Sequence, residues 1–165
     1  TLMDDDAAEM MTQRHVYMVP TLSALATTAA CPTGCGIPDS ARSKARNMVK
    51  QHERSLRAAL RRGVPIAMGT DAGTPFNYHG DNAQELERMV ALGMTPMDAI
   101  MTSTSAAARL QGLIQDIGSI AAGKQADLLV VEGNPLRNIG VLLKRERIAG
   151  VMQRGRFVAG PLSRA

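Results

Sequence analysis

The residues that decide the fold run from position 63 to position 75 and read Gly63-Val-Pro-Ile-Ala-Met-Gly-Thr-Asp-Ala-Gly-Thr-Pro75. The run Val64–Met68 is short, apolar at consecutive positions and bounded by glycines. This pattern is typical of a strand buried on both faces, as in a parallel sheet. The residues from Gly69 to Pro75 are then predicted to form a loop at the carboxyl end of that strand.

A second strand is predicted upstream of this loop. The segment His15-Val-Tyr-Met-Val-Pro-Thr-Leu22 is rich in β-forming residues, and its regular pairing is expected to end near Pro20. A basic amphipathic helix from Lys44 to Arg62 separates the two strands and stops at the glycine that follows it. The order strand, helix, strand predicts that Val16–Val19 and Val64–Met68 are neighbouring parallel strands with a right-handed crossover.

The rest of the chain extends this pattern into an α/β architecture with a β appendage. Further helices are predicted for Asp4–Arg14, for Asn82–Leu92 with Asp81 as its N-cap, and for a segment that starts at Thr95-Pro96 and ends near Leu110. Strands are predicted at Ala126–Val131 and Val151–Val158, and a partly irregular loop at Ala24–Ser40.

The composition permits a packed core and favours neither a membrane nor a nucleic-acid partner. Hydrophobic residues make up 45% and charged residues 21% of the 165 residues, as in ordinary globular proteins. No stretch approaches the roughly 20 apolar residues that span a bilayer. Much of the net charge of +4 lies on the helix from Lys44 to Arg62, where no aromatic residue is placed to stack on bases. A solvated helix face is therefore favoured over a nucleic-acid site.

Two cysteines, Cys31 and Cys35, are separated by Pro-Thr-Gly. This spacing is not that of a redox Cys-x-x-Cys motif, and no second pair completes a zinc site. The expectation is a loop that carries two ordinary thiols.

Asp71 is the strongest candidate for chemistry because it follows the predicted buried strand. In α/β barrels the catalytic groups gather at the carboxyl ends of the strands. A carboxylate there can bind a divalent metal ion and accept a proton from metal-bound water. The residues leave open the alternative that Asp71 only forms an Asx turn. His79 could contact a substrate or simply cap the next helix, His52 is expected to pack, and His15 is assigned no role.

Three stretches, taken in order, resemble the amidohydrolase superfamily. Residues 63–75 look like its last barrel strand, residues 85–100 resemble the helices that follow, and residues 117–131 resemble its exit into a small β-sandwich lobe. The similarity is to the imidazolonepropionase-like branch, which includes prolidase-like dipeptidases and carboxypeptidases. The resemblance implies the carboxyl-terminal portion of a TIM-type (β/α) barrel, about strands seven and eight, in residues 1–112. It implies strands of the small β-sandwich lobe in residues 113–165.

The resemblance also implies a metal-dependent hydrolase that acts on C–N bonds of an amide, dipeptide or cyclic amide, with a dipeptidase-like or carboxypeptidase-like specificity. Asp71 matches the last-strand aspartate that completes the family's site for one or two divalent metal ions, for which zinc is expected. In that reading a metal-bound hydroxide attacks the carbonyl, and Asp71 passes the proton to the leaving nitrogen. His79 is a weaker candidate for substrate binding.

The family's other metal ligands have no counterpart here: the His-x-His of its first strand, its bridging lysine or glutamate, and two further histidines. The chain is therefore expected to be a fragment, with a small-molecule or dipeptide substrate, and to associate as a homo-oligomer or with the missing amino-terminal portion. A non-catalytic truncated chain that associates with another polypeptide is one alternative, and a nucleic-acid-binding module on the basic helix is another. The compartment is not readable, with a cytoplasmic location slightly favoured.

Overall fold

A parallel bridge joins Met18 to Ile66 in the computed structural model, which describes residues 3–164. The N–H of Met18 donates to the Pro65 carbonyl at 2.8 Å, and the N–H of Ala67 donates to the Met18 carbonyl at 3.1 Å. The predicted parallel pairing of the two segments is confirmed at this point. It is a single bridge, however, and not the pair of regular strands that the sequence predicts.

The chain divides into two compact units, Thr1–Met94 and Thr95–Ala165, and the bridge belongs to the first. The helices of the first unit are α1 (Asp5–Gln13), α2 (Leu22–Ala30), α3 (Asp39–Arg62) and α4 (Ala83–Ala91). In this unit α3 packs against both α1 and α2, and α2 packs against α4. The expected division of the chain at residue 112 stays a prediction, because compact packing does not show where the lobes of a larger protein meet.

Helices α1 and α3 confirm the predicted helices, with small shifts at their ends. The Asp4 carboxylate accepts the N–H of Ala7 at 2.8 Å and caps α1. Helix α3 begins earlier than predicted, at Asp39, and ends at Arg62; the C-cap residue Gly63 adopts a left-handed conformation with φ 68°. Glycine tolerates this conformation without a Cβ penalty, so the helix terminates where the sequence predicts.

Helix α2 corrects the prediction of an irregular loop over Ala24–Ser40. Its sequence contains four alanines and neither glycine nor proline, so its helix propensity is high. The turn-forming residues that led to the loop prediction all lie beyond Ala30. In α4 the N-cap position is Asn82, not the predicted Asp81, and the Asn82 side chain makes no capping hydrogen bond.

The core of the first unit is made by one face of α3, the bridged segment and the inner face of α4. The predicted burial of the segment after Gly63 is borne out at three of its positions, and the buried apolar residues of these elements include Ala45, Leu56, Ala59, Val64, Ile66, Ala67, Leu86 and Met89. At about 25 cal/mol per Å² of apolar surface removed from water, such a cluster is the main source of stability for a unit this size. Val16 and Val19 in the other bridged segment remain exposed.

The second unit begins with helices α5 (Pro96–Ser103) and α6 (Ser105–Leu110). The predicted cap is confirmed, since the Thr95 hydroxyl accepts the N–H of Asp98 at 3.1 Å. The predicted single helix is wrong, because Thr104 has φ −121° and ψ −96° and separates the two helices. Thr102, Ser103 and Thr104 each donate a side-chain hydroxyl to a carbonyl of the preceding turn, a pattern that competes with and bends a helix.

The sheet of the second unit is antiparallel, with the order β1 (Leu128–Val131), β2 (Ile148–Gln153) and β3 (Arg156–Ala159). The predicted strand over Val151–Val158 is therefore two strands of a hairpin. Its two-residue turn, Arg154 and Gly155, has positive φ at both positions, 50° and 79°. This conformation matches the twist of tight hairpins. Within residues 3–164 no helix is both long and apolar enough to cross a membrane.

Candidate functional site

Asp71 follows the segment that pairs through Ile66 and lies beyond the carboxyl end of that segment. Its predicted role in catalysis and metal binding stays a prediction. The residue is exposed, and its carbonyl accepts the N–H of Thr74 at 3.4 Å and the Thr74 hydroxyl at 3.1 Å. Its backbone is left-handed, with φ 55°. Aspartate is several-fold enriched among the uncommon residues with this conformation. The turn is formed by the Asp71 backbone carbonyl and is not the Asx turn left open by the sequence, in which the carboxylate would accept the N–H of Gly73; that N–H donates to the Asn77 carbonyl instead. The turn leaves the carboxylate available for chemistry.

The loop that carries Asp71 is held from inside by Asn77, which sequence analysis did not identify. The Asn77 side chain is 7% exposed, and its Nδ2 donates to the Thr70 carbonyl at 2.5 Å and to the Thr74 hydroxyl at 3.2 Å. The Asn77 carbonyl accepts the N–H of Gly73 at 2.9 Å. One buried amide therefore fixes both ends of the loop around Asp71. The only hint in the sequence was the position of Asn77 between two aromatic residues, Phe76 and Tyr78, in a loop.

His79 lies across the same loop. Its Nε2 is 3.5 Å from the place that a Cβ would take on Gly73. His79 and Tyr78 line an open groove of about 450 Å³, with Phe76 and Ile37 among the apolar residues of its wall. The lining of this groove, within the described part of the chain, includes His79 and does not include Asp71. The structure thus brings the two predicted site residues into one loop but not into one pocket.

The far wall of this groove is formed by Cys35, Gly36 and Ile37. Cys35 is joined to Cys31 by a disulfide, which corrects the expectation of two free thiols. The buried Arg42 donates from Nη1 to the Cys31 carbonyl at 3.1 Å and pairs through Nη2 with Asp39. The hydrogen bond and positive charge of Arg42 lower the pKa of Asp39. The segment Cys31–Cys35 is therefore closed by its disulfide and is also joined to α3 through Arg42.

Glu85 is the second residue that sequence analysis missed as a candidate. Its side chain is 0% exposed, and its carboxylate accepts three hydrogen bonds of 2.7 Å each. The donors are the N–H of Leu22, the N–H of Ser23 and the hydroxyl of Ser23. A carboxylate is buried only when such partners replace its water. The available signal was an acidic residue one position before Leu86 on the apolar face of α4.

His52 is a packing histidine, as its place on the basic helix predicts. It is 7% exposed, and its imidazole hydrogen-bonds to the carbonyl of Pro20. Burial lowers the pKa of His52, while the bond to Pro20 and the carboxylates of Glu85 and Glu53 act in the opposite direction. The ring is therefore favoured in its neutral form and helps to hold the end of the first bridged segment.

The donor set does not amount to a complete metal centre. Over residues 3–164, no group of three His, Cys, Asp or Glu side chains is arranged to hold a metal ion. Catalytic zinc sites need about three protein ligands. Asp71 supplies one carboxylate, and His79 lines the groove, whose lining does not include Asp71.

The match to known proteins covers nearly the whole chain. A family model described as the amidohydrolase family matches residues 1–158. The solved structure of a Xaa-Pro dipeptidase with bound methionine in the active site is 37% identical, with a TM-score of 0.84 over 96% of this chain and 38% of that one.

Two curated relatives agree with this result. The ochratoxinase of Aspergillus niger is 29% identical over 160 residues, which are 96% of this chain and 32% of that protein. The imidazolonepropionase of Shouchella clausii is 33% identical over 106 residues, 63% of this chain and 24% of that protein. The chain thus spans about a third or less of the curated relatives that it matches.

Proposed function

The chain belongs to the amidohydrolase family, and from this premise we propose that it supplies the last part of the active site of a hydrolase that cleaves C–N bonds in a dipeptide or a related small amide. The observation that carries the proposal is the place of Asp71, at the end of a parallel-paired segment in a chain that is 37% identical to a Xaa-Pro dipeptidase. Catalytic groups of barrel enzymes lie at that end of their strands.

Asp71 is proposed to act in proton transfer. Its carboxylate orients the attacking water and accepts a proton as the oxygen adds to the substrate carbonyl. It then gives that proton to the nitrogen as the C–N bond breaks, so the products are a carboxylic acid and an amine. A positioned carboxylate acting in this way contributes about 10²- to 10⁴-fold to a rate.

Divalent metal ions are generally used by this superfamily. The described residues do not fit a whole metal site, since Asp71 is the single carboxylate that the loop supplies. We therefore propose that the remaining ligands, for zinc or another divalent ion, lie outside this chain.

His79 and its groove are proposed to hold part of the substrate. The groove presents the imidazole beside the apolar surfaces of Phe76, Tyr78 and Ile37. An imidazole can hydrogen-bond a carboxylate or carbonyl, and aromatic rings can pack on an apolar side chain. Both features suit a dipeptide with one apolar residue.

The chain is further proposed to correspond to about strands seven and eight of the barrel together with part of the small β lobe. The Met18–Ile66 bridge then stands for the pairing of those two strands. Activity in this proposal requires the rest of the barrel, supplied by an amino-terminal portion. A non-catalytic role as an association partner is the second candidate function. It is favoured because the described residues do not supply a full set of metal ligands.

The test is complementation. The chain is mixed or co-expressed with the amino-terminal barrel portion of the similar Xaa-Pro dipeptidase, and hydrolysis of a Xaa-Pro dipeptide is assayed with added zinc. We expect turnover from the pair and none from either part alone. A correctly assembled pair that hydrolyses no C–N substrate favours the non-catalytic role. Turnover by the chain alone would show that it is a complete enzyme.

A further inference from the structure

We propose that Glu85 is a positioning residue for the loop that carries Asp71, acting through the turn at Thr21. The inference rests on the proposed function only for the consequence on catalysis. In structural terms, Glu85 helps to hold α4, the first turn of α2 and the segment after Ile66 in place relative to one another.

Hydrogen bonds to Glu85 join α4 to the first turn of α2. The buried Glu85 carboxylate accepts the N–H groups of Leu22 and Ser23 and the Ser23 hydroxyl, each at 2.7 Å. These N–H groups belong to the first turn of α2, where a helix leaves its donors unpaired and carries a partial positive charge. Thr21, at the N-cap position, makes no side-chain capping bond, so Glu85 supplies the cap from another helix.

Thr21 has an unusual backbone conformation. Its φ and ψ are both 49°, in the left-handed region. A β-branched residue is a genuine outlier there, and such backbone strain costs about 1–3 kcal/mol unless the surroundings fix it. The two residues that follow are bound by Glu85, and the Pro20 carbonyl before it is bound by His52. The turn is therefore held on both sides.

Val19 and Thr21, on either side of Pro20, both lie close to Gly69. A Cβ on Gly69 would lie 2.5 Å from Cγ1 of Val19 and 3.5 Å from Cγ2 of Thr21. The Val19 side chain therefore packs against Gly69, two residues before Asp71, and the Thr21 methyl group lies beside this contact. If the first turn of α2 moves, this contact opens, and the start of the Asp71 loop loses its support.

Hydrogen exchange of the 165-residue chain, followed by mass spectrometry, tests the structural part. Glu85→Gln keeps the size of the side chain but replaces one acceptor oxygen with an NH₂ group that faces N–H donors. We expect the peptides over residues 19–25 and 66–77 both to exchange about tenfold faster, as loss of one hydrogen bond predicts. Glu87→Gln, an exposed neighbour on the same helix, is the matched control and should change neither peptide.

Acceleration confined to residues 19–25 would overturn the inference, because Glu85 would then cap α2 without reaching the Asp71 loop. No acceleration of either peptide would overturn it as well. If Glu85→Gln does not fold, Ser23→Ala replaces it, since that change removes one hydrogen bond and leaves the two backbone bonds. Ser23→Ala should accelerate the same two peptides to a smaller extent, and an unchanged 66–77 peptide counts against the proposal.

Kinetics of the assembled enzyme test the catalytic part. Glu85→Gln should lower kcat about tenfold and leave KM nearly unchanged, because it displaces a proton-transfer group and no substrate contact. An unchanged kcat in an active enzyme contradicts the inference. Absence of C–N hydrolysis in the wild-type assembly refutes the proposed function instead, while the exchange result still decides the role of Glu85.

Discussion

The carboxylate of Glu85 accepts the N–H of Ser23 at 2.7 Å across 62 positions of sequence, and both residues are buried. This bond fastens the turn after the first bridged segment to the helix that follows the second. The turn that it fastens also lies next to Gly69, two residues before Asp71, and a rigid support is needed there if the Asp71 carboxylate is to be held in a fixed position.

His52 should make the chain less stable in acid. Burial holds its pKa below the ordinary value of 6.5, whereas the unfolded chain regains that value. The unfolded state therefore binds the proton first, and the free energy of unfolding falls as the pH drops below about 6.5. Urea unfolding at a series of pH values should show this fall, and a smaller one in His52→Gln. The exposed His15→Gln is the control and should keep the wild-type slope, whereas an unaltered slope in His52→Gln would disprove the assignment.

Gly69→Ala should destabilise the first unit by crowding alone, since Gly69 is not at a positive φ. The new methyl group meets Cγ1 of Val19, and overpacking of this kind costs about 1–3 kcal/mol. Thermal unfolding of the single variant and of Gly69→Ala with Val19→Ala gives the measurement. The second change removes the crowding atom, so it should restore part of the lost stability. Additive losses in the double variant would contradict the contact.

Asn77→Ala should loosen the loop from residue 70 to residue 77. The change removes the buried donor to the Thr70 carbonyl, and leaving such a group unpaired costs about 1–3 kcal/mol. Hydrogen exchange of the loop should accelerate while α1 stays protected. Asn82→Ala, which alters an exposed side chain with no capping bond, serves as the control. Equal effects of the two variants would show that Asn77 does not organise the loop.

The isolated chain should associate with itself and should not hold zinc stoichiometrically. The bridged segments pair with each other at one point, and Val16 and Val19 remain 47% and 42% exposed, so backbone edges and apolar surface are open to a partner. Size-exclusion chromatography with metal analysis is the measurement. A monomer that binds one zinc ion per chain and hydrolyses a dipeptide would contradict this prediction.

The sequence correctly predicts those features that depend on neighbouring residues, such as the ends and caps of helices. Gly63 ends α3 and Thr95 caps α5 because each signal acts on its own turn. The parallel pairing of Met18 with Ile66 follows from the order of elements and from the apolar run around Ile66.

The features that the sequence did not predict depend on contacts between residues far apart in the chain or on loop geometry. Helix α2 receives its cap from Glu85, more than 60 residues away, so no local signal marks its start. The Cys31–Cys35 disulfide depends on a loop geometry that spacing alone does not determine. Asp71 is a candidate because the apolar run before it can be recognised in the sequence, whereas Asn77 and Glu85 are defined by tertiary contacts.

Turnover by Asp71→Asn in the assembled enzyme tests the central claim most directly. We expect the variant to keep the wild-type circular dichroism spectrum and to lose about 10²-fold or more in kcat, because asparagine cannot accept the proton of the attacking water. Asp116→Asn, an exposed aspartate in the second unit, is the matched control and should keep full activity. Near-normal turnover by Asp71→Asn would contradict the proton-transfer role of Asp71.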